Sequence, residues 1–210
     1  MTTPSIRLAF ALLFLSAIPA GAAAQDRLPP IPPDQMTDAQ RLAADEFAAN
    51  RGTEVFGPFV PLLRSPEVML RMMAMGDYLR FRSTLPRKLN EFVVLITARA
   101  WTQEYEWYVH HPAALSAGLS PQVAQAIADG RRPEGMSEDE EIVYDFCTEL
   151  HGRGRVSDRT YGRAVARFGE QATIDMISSA GYYTFLSMVM NAARTSLPPD
   201  AAPVLAPFPR

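Results

Sequence analysis

Apolar residues recur every three to four positions in one segment of this chain after another, and polar or helix-breaking residues separate the segments. That is the period of amphipathic helices packed on a core. "TDAQRLAADEFAANRG" runs from Thr37, an N-cap residue, to a stop at Gly52. "SPEVMLRMMAMGDYLRFRS" opens with Ser65-Pro66, a cap followed by proline at the first helical position. "LPRKLNEFVVLITARAW" and "YEWYVHHPAALSAG" come next, the second ending at Gly118. Ser120-Pro121 and Gly130 bracket "SPQVAQAIADG", and Ser137 with Glu140 makes a capping box at the head of "SEDEEIVYDFCTELHGRG". "SDRTYGRAVARFG" and "EQATIDMISSAGYYTFLSMVMNAAR" complete the set. No stretch alternates as a strand does; "FVVLITA" is β-branched but continues a helical pattern. The pattern predicts an all-α single domain of about eight helices.

Two apolar stretches need separate treatment. Met176 to Ala193 carries no charge and asks for burial on most sides. Its serines, tyrosines, threonine and asparagine make it a central core or subunit-interface helix, not a membrane span. At the start of the chain, Arg7 precedes "LAFALLFLSAIPAG", and Ala22 and Ala24 follow in a small-x-small pattern. This is the form of a secretory signal cleaved after Ala24, and it is shorter than the ~20 apolar residues of a membrane anchor. The expected organisation is a signal peptide over 1–24, a Pro-rich leader over 25–36, a helical domain over 37–195 and a Pro-rich tail over 196–210. The expected location is periplasmic or secreted. The tail, with five prolines in "TSLPPDAAPVLAPFPR", is too apolar for a solvated end and is expected to pack on its own surface or on a neighbouring subunit.

Composition narrows the function classes. Over 210 residues, 48% are hydrophobic and 20% charged, which supports a folded core. The net charge of −3, without a basic block, gives nucleic acid no footprint. Cys147 is the single cysteine and recurs with Ile142, Val143, Phe146 and Leu150 at helical spacing, so it reads as a packing residue. Neither an internal disulfide nor two-cysteine redox chemistry is available to one chain.

Two of the three histidines, His110 and His111, stand together. Glu106 lies four residues before His110, on the same helix face. A carboxylate there favours the imidazolium and orients the ring for proton transfer; the same spacing also fits a surface ion pair at a helix N-terminus. Glu91 sits among the apolar Phe92, Val93, Leu95 and Ile96. One continuous helix would hold Glu91 and Glu106 about 22 Å apart. A turn near Trp101-Thr102, with Thr102 as the next N-cap, would bring Glu91, Glu106 and His110 into one pocket. A metal site is not expected, since adjacent histidines diverge by about 100° on a helix and His151 stands far off in the sequence.

The chain resembles the carboxymuconolactone decarboxylase-like family, which includes the AhpD-like proteins. The resemblance runs from about Gly57 to Asn191 and rests on "GPFVPLLRSPEV", "LRFRSTLPRKLNEFVVLITARAW", "YEWYVHHPAALSAGLS" and "GYYTFLSMVMNA". It implies an AhpD-like helical bundle and a homo-oligomer, a trimer or a hexamer. In the AhpD-like branch a glutamate, a C-x-x-C pair and a histidine form a proton relay. Those positions fall on Glu91, on Gln103 and Glu106, and on His110. Both thiols are absent, which implies the thiol-free branch, working without metal or organic cofactor. The implied reaction is decarboxylation of a small unsaturated acid or lactone, with His110 supplying a proton to the resulting enolate. Arg80, Arg82 and Arg87 become candidates to hold a substrate carboxylate, with Tyr105 and Trp107 as candidate pocket walls.

Overall fold

The computed structural model describes residues 26–205; the expected signal peptide lies outside them. Among the described residues there are eight α-helices and no strand: α1 (Asp38–Arg51), α2 (Phe59–Leu62), α3 (Pro66–Phe81), α4 (Arg87–Ala100), α5 (Glu104–Ser116), α6 (Pro121–Ala128), α7 (Glu138–Arg153) and α8 (Asp158–Ala193). The chain is all-α, as its periodicity predicts, with two differences in detail. The one-turn α2 is not foreshadowed by any repeat. The two last expected helices are joined in α8, across Gly169, whose φ of 82° and ψ of 168° break the helical path; this is backbone that glycine alone adopts readily.

Local chemistry sets most of the boundaries. Thr37 with Gln40 and Ser137 with Glu140 both form reciprocal capping boxes. Gly52 and Gly154 end α1 and α7 in the left-handed conformation. Ser65 and Ser120 occupy cap positions but accept no capping hydrogen bond from a helix amide; there proline in the first turn, with its preset φ, starts the helix.

The centre of the bundle is α4, which packs against α3, α5, α6, α7 and α8. Every residue from Leu89 to Arg99 is buried. Phe92, Val93 and Leu95 are wholly removed from solvent, each such side chain contributing about 1.5–3 kcal/mol. The segment expected at the centre, Met176 to Ala193, is instead two-sided: Met176, Tyr183, Leu186 and Met190 face the core while Met188 stays half exposed. A buried α4 separates two apolar clusters, one shared with α6 and α7, the other with α1, α3 and the second half of α8.

Both ends of the described chain lie on this bundle. The Arg27 amide donates to the Ala193 carbonyl and Asp26 accepts from Ser196. Glu104 accepts from the amides of Val204 and Leu205 at 2.9 Å each, and Leu205 is buried. No helix of the described residues is long and apolar enough to cross a membrane.

Candidate active site

The corner between α4 and α5 builds the site. The Thr102 amide donates to the Arg99 carbonyl at 3.0 Å and the Gln103 amide to the Ala98 carbonyl at 2.8 Å. This is a Schellman closure of α4, with Thr102 at φ 46° in the left-handed position that glycine usually takes. The helical pattern predicts a turn here, but with Thr102 as the next N-cap. Gln103 fills that position instead, its side chain accepting from the Tyr105 amide. A β-branched residue in the left-handed conformation is strained, and α8 holds the corner in place. Asn191 accepts from Gln103 and donates to the Trp101 carbonyl, while the Trp101 indole donates to Thr184.

Reversal at this corner lays α5 back along α4. Glu91, Glu106 and His110 converge, at 5%, 3% and 4% exposure. His110 Nδ1 lies 2.7 Å from Glu91 Oε2, a hydrogen bond across the two helices. Its Nε2 lies 3.5 Å from Glu106 Oε2, beyond a normal hydrogen bond. The orienting partner is therefore Glu91, whereas helix spacing assigns that part to Glu106. The i,i+4 pair shares a face, but only a side chain arriving from α4 meets Nδ1 head on. Glu91 accepts the hydrogen bond from Nδ1–H and leaves Nε2 directed at Glu106. Tyr183 packs edge-on against the imidazole at 4.8 Å.

Glu106 is the unusual group. Its Oε1 is buried without a hydrogen-bond partner. Burial pushes its carboxyl up, Glu91 adds to that, and the charges of His110 and Arg80 oppose it, leaving a pKa of about 7. A carboxyl poised there exchanges its proton at neutral pH. Burial likewise holds the hydroxyls of Tyr182 and Tyr183 protonated, well above the ordinary tyrosine range.

Glu106 and His110 face a small inner cavity of about 40 Å³, open on one side and walled also by Arg51, Arg80, Tyr105, Tyr182 and Tyr183. That is room for roughly three waters. A second, larger cleft of about 390 Å³ is lined by Arg80, Arg87, Ser83, Asn90 and Glu91. Two close approaches shape the inner walls. A Cβ at Gly57 would meet the Tyr105 ring at 2.8 Å, and one at Gly76 would collide with the Tyr182 hydroxyl.

The remaining candidates divide clearly. Arg80 lines both cavities and Arg87 the outer one, but the exposed Arg82 lies over the Tyr78 ring and lines neither. Tyr105 is a cavity wall. Trp107 belongs to the core, stacked on His111 at 5.6 Å; the two stand one and five positions past Glu106, which turns both off the face that Glu106 and His110 share. Arg51 and the pair Tyr182-Tyr183 escape a sequence reading of the site. They come from α1 and α8, and only the tyrosine pair leaves a trace, in "GYYTFLSMVMNA". His151 stands apart, its Nε2 2.9 Å from the Thr97 hydroxyl. Cys147 is buried in α7, where loss of hydration pushes its thiol up to about 12, so it offers no thiolate. Among the described residues no group of three or more His, Cys, Asp or Glu side chains is arranged to hold a metal ion.

Residues 66–138 match the model of the carboxymuconolactone decarboxylase family. That span includes Arg80, Glu91, Glu106 and His110. No curated protein matches the chain. Among solved structures, a Cys→Ala variant of the debrominase Bmp8 in complex with 2,3,4-tribromopyrrole is similar at 13% identity and a TM-score of 0.65, over 85% of this chain and 95% of that one. An uncharacterized peroxidase-related protein from Ralstonia eutropha JMP134, described as an alkylhydroperoxidase AhpD core, is similar at 15% identity and 0.67, over 83% and 93%. A peroxidase-related protein from Silicibacter sp. TM1040 is similar at 15% and 0.63, over 80% and 87%. The central part of the chain, residues 66–138, thus matches the carboxymuconolactone decarboxylase family model, and the whole bundle follows the fold of the AhpD-like structures.

Proposed function

We propose that this protein is a lyase that needs neither metal nor organic cofactor and decarboxylates a small unsaturated acid or lactone. The observation that carries the reading is the buried convergence of Glu91, His110 and Glu106, with an arginine beside it and no thiol. Loss of CO₂ breaks a carbon–carbon bond and leaves its electron pair in an extended enolate. His110 delivers a proton from Nε2 to carbon, Glu91 holds the ring through Nδ1, and Glu106 reloads Nε2. One carboxylate and one proton become CO₂ and the protonated product. Placement of the acid in a desolvated site beside a fixed base is what gives such transfers their rate.

The peroxidase-related names of two neighbours do not transfer to this chain. Disulfide exchange needs a thiolate, and here Gln103 caps a helix and Glu106 is a carboxylic acid where the family carries its cysteine pair. The test is a screen of the purified mature protein against small unsaturated acids and lactones, following CO₂ release without added metal. Turnover is expected, insensitive to thiol-blocking reagents; turnover that requires a thiol reductant and is abolished by Cys147→Ser would overturn the reading.

We also place the enzyme outside the cytoplasm, as a homo-oligomer. Support comes from the signal pattern over residues 1–24 and from apolar side chains left in solvent, Phe81 at 70% and Ile174 at 56% exposure. N-terminal sequencing of protein recovered from its host is expected to begin after Ala24. Light scattering at micromolar concentration is expected to give a trimer or a hexamer; a full-length N-terminus or a monomer counts against the respective part.

A further inference from the structure

Arg80 occupies a position that proton transfer by itself does not explain. Its side chain forms part of the wall of both the inner cavity, with Glu106 and His110, and the outer cleft, with Arg87 and Glu91. Neither Arg80 nor Arg87 forms an ion pair with a described residue; the Arg80 guanidinium lies over the Phe81 ring, 5.4 Å away. A lactone acid has no room in about 40 Å³, whereas about 390 Å³ accommodates one. The carboxylate end of a substrate therefore fits the cleft, beside Glu91 and the two arginines, which leaves the reacting carbon to reach toward His110.

We propose that Arg80 couples substrate binding to proton loading: a small carboxylate entering the outer cleft pairs with Arg80 and Arg87, draws the Arg80 charge away from the inner cavity, and so causes Glu106 to take up a proton. This rests on the acid–base reading of the site given above. The groups facing Glu106 are His110 and Tyr105 on its own helix, Glu91 on α4, Arg80 on α3, Arg51 on α1, and Tyr182 and Tyr183 on α8; burial holds Tyr105 protonated as it does the other two tyrosines. Arg51 is held by Asp77 at 2.7 Å, and the tyrosines stay neutral. Of the two arginines, Arg51 is paired and only Arg80 is left to move toward an anion. Its charge opposes the protonation of Glu106; with that charge neutralised by the substrate, burial and Glu91 prevail. The proton comes from solvent, one carboxylate charge enters, and one buried carboxylate is neutralised. The enzyme is thereby armed with its proton only when a substrate carboxylate is in place.

Titration calorimetry with crotonate, in two buffers of different ionisation enthalpy, tests this on the mature protein without any mutation. Near pH 7, where Glu106 is about half protonated, binding is expected to take up on the order of half a proton per site. Uptake is expected to vanish by pH 5, where Glu106 is already protonated. Glu106→Gln is expected to bind crotonate without uptake, and Arg80→Met to weaken binding at least about tenfold. Binding with no proton uptake, uptake that survives Glu106→Gln, or no binding of crotonate at all would each overturn the coupling. Turnover in the decarboxylation screen together with any of these results leaves the acid–base reading standing and removes only this inference. Coupled uptake without turnover keeps the coupling and the acid–base pair and removes only the decarboxylase reading.

Discussion

His110→Ala is expected to lower kcat by at least about 100-fold, the lower bound for loss of a positioned acid–base group. His111→Ala is expected to change it less than about twofold. The two residues are neighbours in sequence, but His110 lies between Glu91 and Glu106 while His111 stacks on Trp107 in half-buried surroundings. Burial lowers the pKa of His111 and no carboxylate offsets it. Glu91→Gln keeps the shape of the orienting residue and removes its charge; it is expected to lower kcat more than it raises KM, since the ring loses the carboxylate that holds it through Nδ1. Glu106→Gln should remove the limb of the kcat/KM profile near pH 7. Steady-state kinetics across pH, with circular dichroism to verify folding, checks the set. A folded His110→Ala enzyme with undiminished kcat would reduce the histidine to a structural role.

Asp175→Ala is expected to destabilise the fold by about 1–3 kcal/mol, the range for leaving hydrogen-bond donors without their acceptor. Asp175 on α8 is 3% exposed and accepts from the Tyr78 hydroxyl, the Ser83 hydroxyl, and both the amide and hydroxyl of Thr84. These four bonds tie down the link from α3 to α4, and so set the distance between Arg80 and Glu91. Burial alone would raise the Asp175 carboxyl, but the hydrogen bonds outweigh it and hold the pKa below the ordinary aspartate value. A lowered folded-state pKa means that its stabilisation is complete above the unfolded value near 3.9 and is lost as pH falls through the folded value. Chemical denaturation at pH 7 and at pH 3 is therefore expected to show a smaller gap between wild type and Asp175→Ala at the lower pH. A gap that widens on acidification would contradict this account.

Features that depend on neighbours three or four residues apart were legible in the chain before any helix was placed against another. The helical period, the capping boxes at Thr37 and Ser137, the stop at Gly52, and the shared face of Glu106 and His110 are all of that kind. The reversal near Thr102 was legible as a break between two helical patterns. Its mechanism was not, because a Schellman closure with threonine in place of glycine looks like an N-cap in sequence. Packing between helices settled the rest. Glu91 rather than Glu106 holds the imidazole because α4 and α5 lie side by side, and a helix period says nothing about which partner faces a given stripe. Trp107 turns into the core and Arg82 away from both cavities, since the angle at which a helix packs selects one face among several apolar ones. Arg51, Tyr182 and Tyr183 complete the inner cavity from more than fifty residues on either side of His110. Contacts at that separation arise only when distant helices meet to bury apolar surface, and no local pattern records where they will meet.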